Sequence, residues 1–188
     1  MPRHPTPRPR RRPGPRTRFV MTLTLVTTAL SLVAAAVSAP AAPAGHGAGP
    51  DAAASASVSA STRHIQELVR RVNAERDRAG CPPVRPHARL HVAAQKHSDD
   101  MARRDYVAHT SPDGEGPVQR LAAVGYRWSA YGETLGTGYP TPAAVLDAWL
   151  NSSAHRAVIL DCRHRHVGIG LHPGAGRPRW TQLLASPA

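Results

Sequence analysis

The chain has 188 residues, enough for one domain with accessory segments, and its 24 Lys and Arg against 12 Asp and Glu give a formal net charge of +12. Seven of those arginines fall in the first eighteen residues, which hold no acid; setting them aside leaves seventeen basic against twelve acidic side chains, a net +5. That mild excess, with no basic stripe interleaved with aromatics, does not amount to a nucleic-acid footprint; it reads first as a solvated basic surface and also suits weak attraction to anionic wall polymers or lipid headgroups.

Reading in chain order, the basic leader runs into FVMTLTLVTTALSLVAAAV (19–37), then SAPAAPAG with an A-x-A-like site at Ala42-Pro43-Ala44. A basic, an apolar and a small-residue region in that order predict a secretory signal peptide over residues 1–44. The alternative is a retained anchor, since the apolar run borders on spanning length; membrane contact is expected only through this segment if it stays uncleaved. No twin arginine stands directly before the apolar run. Residues 45–61, poor in large apolar groups, are expected to be a flexible linker, with order beginning near Thr62 and a domain over 62–188.

Ile65, Leu68, Val69 and Val72 follow helical spacing up to Gly80, a stop signal. CPPVRP reads as a turn-rich bridge. Leu90, Ala93, Ala94, His97 and Met101 mark a second helix, closed by the turn chemistry of SPDG. PVQRLAAVGY predicts a short helix with Pro117 in its first turn, and WSAYGETLGTG an extended or irregular segment. Thr141-Pro142 opens a helix through Val145, Leu146 and Trp149 as cap and first-turn proline. HVGIGLH and RPRWTQLLAS predict an antiparallel hairpin. Helices first and strands largely last make an α+β domain, its helices packed on a small antiparallel sheet.

Two cysteines occur, Cys81 and Cys162, both beyond the leader. In an oxidising compartment they are expected to form a disulfide. The alternative is a metal cluster of Cys162 with His164 and His166, but its spacing matches no common zinc motif and leaves Cys81 without a role.

Three side chains at loops or element ends are candidates for chemistry: His109 in AHTSPDG, Glu133 in YGETLG and His155 in SSAHRAV. Two imidazoles and a carboxylate can hold a transition ion such as Zn2+, or serve as base, acid and orienting group. Spacing alone does not bring them together, and each is also readable as a surface or capping residue. His97 reads as a satisfied core histidine, and the adjacent Asp99 and Asp100 as divergent, solvent-facing acids. The sequence holds no His-Glu-x-x-His run and no Gly-x-Ser-x-Gly elbow.

VNAERDRAGC, AAQKHSDDMARRDYVAHTSPDG, YGETLG, AWLNSSAHRAVIL, HVGIG and RWTQLLA, in that order, resemble the successive motifs of secreted bacterial CAP-superfamily (SCP-like) domains over residues 62–185. The resemblance implies an α-β-α sandwich with a shallow central cleft lined by His and Glu, where several members bind zinc. Matched residue by residue, His109 stands for the His of the S-H-T element, with Ala108 in place of Ser. Glu133 stands for the Glu of G-E-N, with Thr134 in place of Asn, and His155 for the His of G-H-R, with Ala154 in place of Gly. Eukaryotic-type members add a second Glu and a second His; Ser152 and Arg179 occupy those positions here. Three ligands would leave a metal's fourth position to water or substrate.

The reading carried forward is a secreted, monomeric binding module of the cell envelope, with enzymatic activity left open. Its cleft would take a divalent metal, a small ligand, a lipid or an envelope component. The alternatives are a metal-assisted or acid/base hydrolase of peptide or wall material, and a purely structural module. His155 is expected at the cleft, with Arg156 turned to a carboxylate or a backbone carbonyl.

Overall fold

The computed structural model describes residues 50–174 and 176–188, so the expected signal peptide lies outside the described residues. Helix α1 (Pro50–Arg78) begins twelve residues ahead of the expected onset at Thr62, so residues 50–61 of the expected linker are helical. Between residues 51 and 79 there is no glycine or proline, and the Ala-rich run has the highest helix propensity available, so nothing stops the helix from extending back. Its buried stripe is Leu68 and Val72. Gly80 ends it at φ +74°, a left-handed conformation that glycine adopts without a Cβ penalty.

After α1 come β1 (Arg85–Pro86), α2 (Ala88–Arg103), α3 (Pro117–Ala123), β2 (Trp128–Thr137), α4 (Pro142–Asn151), α5 (Ser153–Ile159), β3 (His166–His172) and β4 (Arg179–Pro187). The sheet order is β1-β3-β4-β2. β3–β4 is the expected antiparallel hairpin, but the sheet is mixed, because β1 runs parallel to β3. The expected turn at CPPVRP therefore supplies an edge strand: Arg85 and His87 donate to Arg165 and Val167 carbonyls at 2.9 Å each. Pro86 has no N–H to give, which an edge position tolerates.

The irregular segment expected around Glu133 is a ten-residue strand paired with β4 from Trp128↔Pro187 to Thr137↔Arg179. Its glycines mark packing, not looping. A Cβ on Gly132 would lie 2.7 Å from Val158 Cγ1 of α5, and one on Gly136 2.6 Å from Val145 Cγ2 of α4. On β3 the same device seats α2: a Cβ on Gly168 would overlap the backbone at Leu90 and His91, and one on Gly170 the backbone at Ala94.

Strand alternation then divides the core in two. Val167, Ile169, Trp180 and Leu184 pack with Leu68, Val72, Val145, Trp149 and Ile159 of α1, α4 and α5. Leu183 and Ala185 pack with Leu90, Ala93 and Leu121 of α2 and α3 on the other face. The domain is thus an α+β fold, an α-β-α sandwich. Cys81 and Cys162 are joined, with Cα atoms 4.8 Å apart, so both sulfurs are consumed and the metal-cluster alternative falls. Beside the bond, the fully buried Arg76 donates to the carbonyls of Pro82, Ile159, Asp161 and His164 at 2.7–3.1 Å. No helix among the described residues is long and apolar enough to cross a membrane.

Candidate functional site

Glu133 sits at the middle of β2 opposite Leu183, so its side chain faces the α2/α3 layer. Its carboxylate is 2 % exposed, and a group buried that deeply needs a counter-charge. Arg120 of α3 supplies it, Nη2 reaching Oε1 at 3.0 Å and Oε2 at 2.8 Å. The same guanidinium donates to the carbonyls of Glu115 at 2.8 Å and His109 at 2.9 Å. Arg120 therefore fixes the loop after α2 and the strand carboxylate at once.

His109 completes that unit from the loop. Its Nδ1–H donates to Glu133 Oε1 at 2.8 Å, and the side chain is 52 % exposed, which leaves Nε2 as the nitrogen open for a further partner. The loop is held from beneath by His97, whose Nε2 lies 3.0 Å from the Ala108 carbonyl. This matches the satisfied core histidine read from the helical pattern. Burial pushes the His97 imidazole pKa down, and the neighbouring Arg120 charge pushes it further; Glu133, the Ala108 carbonyl and Asp100 pull the other way.

His155 enters from the opposite layer. Ser152 closes α4 and caps α5, its Oγ accepting the His155 N–H at 3.5 Å, and the half-buried imidazole stands in the first turn. Its pKa is pushed down by burial first and then by the charge of His109, so the two rings lie within electrostatic reach of each other. The ring makes no hydrogen bond to a described residue. Arg156 turns to a backbone carbonyl, donating through Nε to Leu150 O at 2.7 Å.

His109 and Glu133 are thus bonded, while His155 shares no hydrogen bond with either and feels only the charge of His109. As a metal site they fit poorly. Both Glu133 oxygens face Arg120, so the carboxylate's charge is already matched, and among the described residues no three His, Cys, Asp or Glu side chains are grouped as an ion requires. Ser152 is spent on its cap, while Arg179 is buried and turned to Thr137 Oγ1 at 2.8 Å and Asp105 at 2.7 Å. Asp99 and Asp100 diverge as expected but are partly buried and engaged, correcting the solvent-facing reading. Asp99 meets Gln95 and His172 at 3.0 Å each, and Asp100 accepts from Tyr106 Oη at 2.6 Å. Arg120 was not singled out from the sequence. Its partner lies thirteen residues away on another element, and no local pattern marks the pair.

Comparison with known proteins agrees with this architecture. The model of the CAP, or cysteine-rich secretory protein, family matches residues 69–184. YkwD of Bacillus subtilis, an uncharacterized protein, is 34 % identical over 105 residues, which is 56 % of this chain and 41 % of that protein. The chain thus spans about two fifths of that curated relative. An extracellular SCP-domain protein of Bacillus anthracis superposes with a TM-score of 0.64 at 24 % identity, over 72 % of this chain and 43 % of the other. An outer surface protein of Borrelia burgdorferi superposes at 0.63 with 17 % identity, over 67 % and 94 %. With the sandwich, the disulfide and the family match over most of the described residues, the chain belongs to the cysteine-rich secretory protein (CAP) family.

Proposed function

We propose that this chain is an exported binding module of the cell envelope. Its cleft, floored by Glu133 and walled by His109 and His155, would engage a small ligand, a lipid or an envelope component. One observation carries the reading: Glu133 is already saturated by Arg120 and His109, so the groups left to meet a partner are imidazoles. A carboxylate held in that way, both oxygens already accepting hydrogen bonds, orients a histidine for recognition. Export fits the leader and the disulfide. The relatives described as extracellular or outer-surface point the same way.

Co-sedimentation of the full chain with isolated cell-envelope material tests it. Retention is expected in wild type and should fall at least about tenfold, ~1.4 kcal/mol, in the double variant His109→Ala/His155→Ala. Equal retention in both would sink the reading. One feature favours an acid/base hydrolase instead: a histidine oriented through Nδ1 by a buried carboxylate is how a base is set up. Release of soluble fragments from the same material, lost in His109→Ala, would replace binding by turnover. Calorimetric titration with zinc is expected to give only heat of dilution. Saturable heat that disappears in His155→Ala would put an ion in the cleft.

A further inference from the structure

Beside Arg120, α2 and α3 flank a partly open cavity of about 210 Å³. α2 presents Ala93, Lys96, His97 and Asp100 to it, the i, i+3, i+4, i+7 face of one helix. α3 presents Arg120 and Ala123, Val124 follows at its end, and the preceding loop adds Ser111 and Glu115. At ~30 Å³ per water the space holds about seven waters, below the ~300–1,000 Å³ of a drug-sized pocket. A single metabolite the size of an amino acid fits the scale.

The lining offers charges of both signs that no protein partner takes, and one buried donor without a partner. Asp100 is taken by Tyr106, Arg103 and Arg104, and the terminal nitrogens of Arg120 by Glu133 and two carbonyls. Among the described residues neither the Lys96 ammonium nor the Glu115 carboxylate makes an ion pair. Arg120 Nε is a buried donor with no partner. The Ser111 hydroxyl accepts from the Glu115 N–H and retains its own proton to donate. A simple anion entering here would face Asp100 and Glu115; a simple cation would face Lys96 and Arg120. A ligand carrying both charges close together satisfies both sides.

We propose that this cavity binds a free α-amino acid with an apolar side chain. Its carboxylate would be held by Lys96, Ser111 and Arg120 Nε, its ammonium by Glu115, and its side chain by Ala93, Ala123 and Val124. The cavity shares Arg120 with the His109–Glu133 pair, but through Nε and not the terminal nitrogens, so its test does not depend on what His109 and His155 bind.

The test is calorimetric titration of the full chain with L-leucine. Saturable one-to-one binding is expected, with N-acetyl-leucine and isopentylamine, which each lack one charge, giving no heat beyond dilution. Lys96→Ala and Glu115→Gln, both exposed positions, should each weaken binding about tenfold or more, the usual scale for a hydrogen bond to a charged group. Ala123→Trp at the exposed rim should block entry, and His155→Ala should leave affinity unchanged. No saturable heat with L-leucine would overturn the proposal. So would wild-type affinity in both charge variants, undiminished binding in Ala123→Trp, or equal binding of either single-charge analogue.

Discussion

At the scale of single residues, the interior of the site is an ion pair that a hydrophobic core would not tolerate half-made. Arg120 and Glu133 side chains are 5 % and 2 % exposed, so each charge depends on the other. Replacing Arg120 by Met would strand the carboxylate and release the Glu115 and His109 carbonyls together. The expected loss is about 3–5 kcal/mol of unfolding free energy, read by urea denaturation. Adding Glu133→Gln to that variant removes the stranded charge, and most of the loss should return. If the double variant were no more stable than Arg120→Met alone, the damage would lie in the loop and not in the unpaired carboxylate. The same residues show what the sequence conceals. His109, Glu133 and His155 stand out by their residue types at loops and element ends, and more sharply because their flanking words resemble a family's motifs. Arg120, which holds two of them in place, has no word of its own and is found by asking what neutralises a buried acid.

At the scale of elements, legibility follows how local the determining forces are. α2 and α4 are readable because their apolar spacing, and for α4 a threonine cap accepting the Ala144 N–H at 3.2 Å, lie within a few residues. β2 is not, because its glycines make it look irregular until the helices that need those gaps are in place. β1 is hidden by proline, and the start of α1 by a composition that resembles a linker. Close approach of α2 to β3 is the sharpest of these non-local demands. Gly168→Ala would drive a methyl group into the Leu90–His91 backbone, which cannot rotate out of the way as a side chain can. Overpacking of this kind costs about 1–3 kcal/mol, and the upper end is expected because the obstacle is main chain. Since α2 also carries His97 beneath the His109 loop, Gly168→Ala should weaken envelope retention along with lowering Tm. A Tm within about 1 °C of wild type, where 1 kcal/mol moves Tm by ~2–8 °C, would mean that α2 does not bear on β3 as described.

At the scale of the whole molecule, two things besides apolar packing adjust stability: one covalent bond and a set of suppressed imidazoles. The Cys81–Cys162 bond spans an 81-residue separation, and closing a loop of that length is worth about 4 kcal/mol on the chain-entropy account. Arg76 gathers the carbonyls around the same junction, so α1 and the α5–β3 connection are tied twice at one place. The imidazoles act in the opposite sense once acid is added. His87, His97, His155 and His164 all have pKa values pushed below the ordinary 6.5, burial being the largest cause in each. Below pH 6.5 the unfolded chain takes up protons at these positions while the folded chain still refuses them. The unfolded state then binds more protons, and stability must fall as pH falls. Asp161 adds a second loss at lower pH, because the Arg163 guanidinium holds its carboxyl down at about 2, so its contribution disappears between the ordinary 3.8 and that value. Urea unfolding at pH 7.5, 6.5 and 5.5 should therefore show a decline in free energy, most of it between pH 6.5 and 5.5. His97→Gln should flatten the decline, since His97 is 2 % exposed and beside Arg120, where a second positive charge is least welcome. A profile that is level from pH 7.5 to 5.5 in wild type would show that these rings take up protons as readily in the fold as out of it.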